Sequence, residues 1–169
     1  MDSRATACEP GAGAYDPAVR LRLMSVLCAL AVASGASGCL RDDGPQLAPA
    51  CREGSASVLT ALRDAPAPVT LDGEPLSHCL HDARDGGELS EVGVGFLDAA
   101  AMLAPRAARD PEGPEALRLG YLVGAARRGV PQAQGPASEL VRRLETEAGQ
   151  VGPGSRALRR GEREGRRSG

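Results

Sequence analysis

The sequence predicts an all-α fold: a small bundle of about four to five helices, with a disordered N-terminal leader and tether and a disordered Arg-rich C-terminal tail. Three observations lead there. Apolar residues in the middle of the chain recur at three- and four-residue spacing, the period of a helix face. Gly and Pro, numbering 22 and 13, fall between those periodic stretches and cut them into helix-sized pieces. Phe96 and Tyr121 are the only aromatics of the body, so Leu, Val and Ala must fill the core, and small side chains let helices approach closely.

The first helix is expected over Glu53 to Arg63, with Val58, Leu59 and Leu62 at helical spacing. Pro66 and Pro68 end it, and Val69-Thr70-Leu71 followed by Asp72-Gly73 reads as an extended piece and a turn. Pro75 then opens a second helix as its first residue. Leu76, Cys79, Leu80 and Ala83 make its apolar face, and Gly86-Gly87 stops it.

Glu88 to Ala104 carries two patterns at once. Leu89, Val92, Phe96, Ala99 and Leu103 follow a helix, while Val92, Val94 and Phe96 also alternate as a strand would. The Ala-rich continuation decides for helix, although Gly93 and Gly95 each cost a helix interior about 0.5–1 kcal/mol. Asp110 and Pro111 are read as cap and first residue of a fourth helix that runs to Arg128, with Gly129 just beyond. Its apolar residues are Leu117, Tyr121 and Leu122. Ala137 to Glu147 forms the fifth, on Leu140, Val141 and Leu144. From Gly149 onward no apolar period remains, and disorder is expected.

Before the body stands Val19 to Cys39, in which Arg20 and Arg22 lead an uncharged apolar run that thins into Ala, Ser and Gly and stops at Cys39. A basic region, a short apolar stretch and small residues are the three parts of a secretory signal. The run is too short to remain as a membrane span, which needs about 20 apolar residues. The ending Ala36-Ser37-Gly38-Cys39 resembles the lipobox of bacterial lipoproteins, with Ser37 and Gly38 as its small residues and Ala36 where that family usually has Leu. The resemblance covers about 20 residues. It implies a diacylglyceryl group on the Cys39 sulfur, cleavage just before that residue, and a location facing outside the cytoplasm. Secretion without lipid and a cytosolic Ala-rich helix are the alternatives. Met1 to Ala18 has no apolar period, and a start at Val19 would give a compact signal.

On that reading the chain divides into leader and signal peptide (1–38), lipid-anchored tether (39–50), helical domain (51–149) and basic tail (150–169). Of the five cysteines, Cys8 and Cys28 fall in the leader and Cys39 takes lipid, which leaves Cys51 and Cys79 as a pair in an oxidising compartment. A disulfide is expected between them, with two buried thiols as the alternative.

Charge is uneven. Leu40 to Val151 holds 11 Arg and 17 acids, a net −6, whereas Gly152 to Gly169 holds six Arg (156, 159, 160, 163, 166, 167) against Glu162 and Glu164, a net +4. The whole chain is −2, which argues against a nucleic-acid binder. Lys, Ile, Asn and Trp are absent, as in chains whose genes avoid AT-rich codons.

Candidate chemistry concentrates in Ser77-His78-Cys79-Leu80-His81-Asp82-Ala83-Arg84-Asp85. On a helix His78 would lie beside Asp82 and His81 beside Asp85, and imidazole with carboxylate suits zinc or a general base. No His-Glu-x-x-His spacing or Gly-x-Ser-x-Gly setting accompanies them, so a solvated polar face is the plainer reading. Gly93-Val94-Gly95 lacks the third glycine of a dinucleotide fingerprint, where Asp98 stands. Gly120 and Gly124 form a small-xxx-small face, expected at a close helix crossing in the bundle or, alternatively, at a homodimer contact. The Arg-rich tail is read as solubilising, with attachment to anionic headgroups as its functional alternative.

The expectation is therefore an envelope lipoprotein with a non-catalytic binding or scaffolding domain, no cofactor, no nucleic acid, contact with the membrane through its lipid, and an envelope protein as possible partner. A small metal-dependent or hydrolytic envelope enzyme using His78, His81, Asp82 and Asp85 is the alternative, and a cytosolic helical protein a further one.

Overall fold

A computed structural model of the chain describes residues 46–130 and 135–169. The leader, the lipobox-like segment, Cys39 and the first part of the tether lie outside the described residues. What is described is mostly helical, with one two-stranded hairpin.

The body begins earlier than the tether reading placed it. Leu47 and Ala50 are buried, and Pro49–Arg52 forms a 3-10 turn. Cys51 in that turn is joined to Cys79, with Cα atoms 5.4 Å apart. That separation is in the ordinary range for a disulfide. In the chain-entropy model, closing a loop with a sequence separation of 28 is worth about 3.5 kcal/mol.

Helix α1 (Ser55–Ala61) continues into a 3-10 turn at Leu62–Asp64. Strands β1 (Thr70–Leu71) and β2 (Glu74–Pro75) pair antiparallel, Thr70 opposite Pro75 and Leu71 opposite Glu74. Asp72 and Gly73 both have positive φ, 52° and 85°, as a two-residue type I′ hairpin requires. Asp72 Oδ2 also accepts from the Ala50 amide, 3.2 Å, which ties the hairpin to the first turn.

The hairpin displaces the second helix that the sequence suggested. Pro75 sits in β2, and the Leu76 amide donates to Val69 O, so the chain stays extended past the expected helix start. Only a single turn forms, α2 (His78–His81), which buries Cys79 and Leu80.

Gly86-Gly87, expected as a stop, opens the longest helix, α3 (Gly86–Arg109). The reason is Asp85: its Oδ1 accepts from the amides of Gly87 (2.8 Å) and Glu88 (2.9 Å), satisfying two donors that a helix start leaves open. Gly93 and Gly95 lie buried inside this helix, as the helical reading required. A side chain at Gly95 would meet the Gly54 backbone at 3.1 Å, and one at Gly93 would touch Leu140 at 3.5 Å, so both glycines admit close neighbours. The helix runs on past Pro105, and Asp110 ends it instead of starting the next one.

Helix α4 (Pro114–Gly129) starts after Gly113 with Pro114 as its first residue. Every residue from Leu119 to Ala126 is buried, so α4 is wrapped on all sides instead of presenting one stripe. Helices α3 and α5 (Pro136–Gly149) pack on it and on each other.

The largest departure comes last. The segment expected to be disordered is helix α6 (Arg156–Ser168), packed along α4. Ser155 caps it, its Oγ accepting from the Leu158 amide (2.9 Å) and donating to Pro111 O (2.5 Å). The domain therefore reaches to residue 169 rather than ending at 149.

Candidate functional site

The seam between α4 and α6 is made of backbone. A methyl group on Gly161 would stand inside the Leu117 carbonyl and 2.7 Å from Tyr121 N; on Gly165 it would meet the Tyr121 carbonyl and, at 2.9 Å, Ala125 N. The reverse holds across the seam. A methyl on Gly120 would strike the Leu158 carbonyl and lie 3.0 Å from Glu162 N, and one on Gly124 would strike the Glu162 carbonyl and lie 2.9 Å from Arg166 N. Partner numbers rise together along the two helices, so α4 and α6 run parallel. Four carbonyls facing four glycines is the recurring geometry of Cα–H···O contacts. Gly120 and Gly124 thus form the close crossing within the bundle.

Polar groups close the rim. The Tyr121 hydroxyl accepts from the Val69 amide (3.0 Å) and lies 3.3 Å from Ser168 Oγ. Ser168 Oγ donates to Glu164 O (3.0 Å), so the Tyr121 hydroxyl supplies the proton between the two side chains. Arg127 of α4 holds both neighbours, Glu145 of α5 at 2.7 Å and Glu162 of α6 at 3.2 Å. At the start of α6, Glu112 accepts from the Arg156 amide at 2.8 Å. That bond, with the Arg156 guanidinium beside it, holds the Glu112 carboxyl below the usual carboxylate range.

The outer face of α6 is cationic. With buried Leu158, Gly161 and Gly165 on the seam side, the 100° step of a helix puts Arg156, Arg159, Arg160, Arg163, Arg166 and Arg167 together on the opposite side, all exposed. Arg156 pairs with Glu112, Arg167 with Glu164, and Arg159 donates to Pro153 O. Arg160, Arg163 and Arg166 have no acidic partner among the described residues. The α4 glycines and the six arginines are visible in the sequence, but that the arginines lie on a helix is not, because α6 has no apolar period. The signal was Gly161, Gly165 and Gly169 at every fourth position, matching Gly120 and Gly124.

The His/Asp cluster is only partly assembled. His78 Nδ1 lies 3.1 Å from Glu74 Oε2 and 3.9 Å from Asp82 Oδ2, so one half-exposed imidazole stands between two carboxylates. Glu74 reaches His78 from strand β2, a neighbour that a helix beginning at Pro75 would not supply. The His81 ring centre is 6.3 Å from that of His78, and the His81 side chain is exposed. Asp85 does not join them. Helix α2 ends at His81, and Asp85 is committed to capping α3. Neighbouring Ser77 is buried, its hydroxyl donating to Gly169 O at 2.6 Å. Among the described residues, no three His, Cys, Asp or Glu side chains converge as a metal-binding group. Nor is any described helix long and apolar enough to cross a membrane.

No protein-family model, curated protein or solved structure matches this chain.

Proposed function

We propose that this protein is a bacterial envelope lipoprotein, anchored by lipid on Cys39, whose helical domain binds or scaffolds at the membrane surface without catalysing a reaction. The observation that carries the reading is the Cys51–Cys79 disulfide. Disulfides persist in oxidising compartments and are rare in the cytosol. An export signal at Val19–Cys39 and a disulfide in the domain behind it agree with each other, though they come from separate parts of the chain. Two groups of the His/Asp cluster have structural tasks: Asp85 caps a helix, and the Ser77 hydroxyl is tied to Gly169.

The test is the intact mass of native protein, extracted in detergent without reductant. The expected species begins at Cys39, carries a diacylglyceryl group, and is two hydrogens lighter than its reduced form. An unprocessed chain with free thiols would overturn the reading. The enzyme alternative is separated by replacing His78 and His81 with Ala, which should leave a binding domain folded and should strip metal from a metalloenzyme.

A further inference from the structure

We infer that the arginine face of α6 is a docking surface for membrane anionic phospholipid headgroups, a second attachment beside the lipid anchor. The inference rests on the envelope reading for where the protein meets such a membrane, but the face itself is a matter of geometry. Six exposed arginines share one side of a 13-residue helix, three of them, Arg160, Arg163 and Arg166, with no acidic partner among the described residues. From Arg156 to Arg167 they extend about 16 Å at the 1.5 Å rise of a helix, a cationic stripe long enough to meet several phosphates of a surface.

Guanidinium binds phosphate through paired, charge-assisted hydrogen bonds, which makes Arg a stronger partner than a point charge. Like charges at i,i+4, such as Arg159 and Arg163, repel on an isolated helix, and an anionic surface relieves that repulsion. The glycine seam on the opposite side fixes the row outward, because α6 cannot roll without driving carbonyls into Gly161 and Gly165. No aromatic residue interrupts the arginines, so the face lacks the stacking platform of a single-strand binder. It has no apolar side chain to insert, so attachment is electrostatic and reversible. The acidic remainder of the body, −6 between Leu40 and Val151, favours a partner that touches one face over a polyanion that wraps the molecule.

The experiment uses the full chain with Cys39→Ala, so that no lipid contributes. Its binding is measured to vesicles of phosphatidylcholine alone and to vesicles containing phosphatidylglycerol. The expected result is binding that requires phosphatidylglycerol and weakens steeply with salt. An Arg near an anionic surface is worth about fivefold in affinity, so the Arg160→Gln, Arg163→Gln, Arg166→Gln triple variant should lose on the order of 100-fold. Among the described residues those side chains pair with no acid, so the variant should keep its circular dichroism spectrum, which is recorded alongside. Equal binding to neutral vesicles, or equal affinity of parent and triple variant, would overturn the inference. So would tighter binding to duplex DNA than to vesicles at matched phosphate concentration. Failure of the lipid anchor appears in the intact mass and leaves this result untouched.

Discussion

Helix α4 meets its neighbours in two unlike ways. The side turned away from α6 carries Leu119, Leu122, Val123 and Ala126, all buried, within a core that includes Phe96, Val92 and Leu103 of α3. There stability comes from side-chain volume removed from water. Toward α6, Gly120 and Gly124 face Gly161 and Gly165 with no room for even a methyl group. Backbone lies on backbone there, and dispersion at close range and the Tyr121–Ser168 and Arg127–Glu162 ties at the rim replace bulk. One helix thus depends on filled space along one side and on empty Cβ positions along the other.

The contrast is broken by changes of opposite sense. Removing atoms should injure the first seam: Phe96→Ala is expected to cost about 3–5 kcal/mol, read from the shift of the denaturation midpoint. Adding atoms should injure the second. Gly161→Ala is expected to destabilise by about 1–3 kcal/mol, although alanine is the better helix former by nearly 1 kcal/mol. The same chemical change at Gly149, at the end of α5, meets nothing within 4 Å. Gly149→Ala should therefore stabilise by about 0.4–1 kcal/mol, and the opposite signs of the two Gly→Ala changes isolate the seam from helix propensity.

A smaller effect concerns acid. Because Arg156 lowers the Glu112 carboxyl in the folded state, its contribution is fully present above the unfolded carboxylate value, near 4.3. It is lost as pH falls through the lower folded value. Melting temperature should thus fall further for the wild type than for Glu112→Gln between neutral pH and about pH 3, with no difference in slope above about pH 6. Glu139, held to about 2 by the hydrogen bonds and charges of Arg142 and Arg143, should behave alike within α5 at still lower pH.

Legibility in the sequence followed this division. The apolar side was readable because its residues obey a 3.6-residue period: Val92, Phe96, Ala99 and Leu103 lie buried in α3, and Leu140 and Leu144 in α5. The Asp72-Gly73 turn was readable from its two residues, and the Cys51–Cys79 pair from counting. What misled were local signals overruled by a neighbour. Pro75 can begin a helix but was taken by the hairpin, and Gly86-Gly87 can end one but was capped by Asp85. The tail misled most. Its 13 residues hold no apolar period, two glycines that weaken a helix, and arginines four apart that repel, so disorder is what the local sequence predicts even though arginine alone is a good helix former. Tertiary contact overrides it here, since glycine is what a backbone seam requires. The cluster around His78 was half legible, its pairing with Asp82 following from spacing and the loss of Asp85 from a helix that stopped early.

Helix α6 is a docked helix held by glycines and not a solvated tail. The most direct measurement is amide hydrogen exchange across residues 156–168 in the folded protein. Docking against α4 predicts protection of Gly161 to Arg167 close to that of α4 itself, falling selectively in Gly161→Ala while α3 keeps its protection. Exchange of these amides at the rate of an unstructured peptide, with α4 still protected, would contradict it.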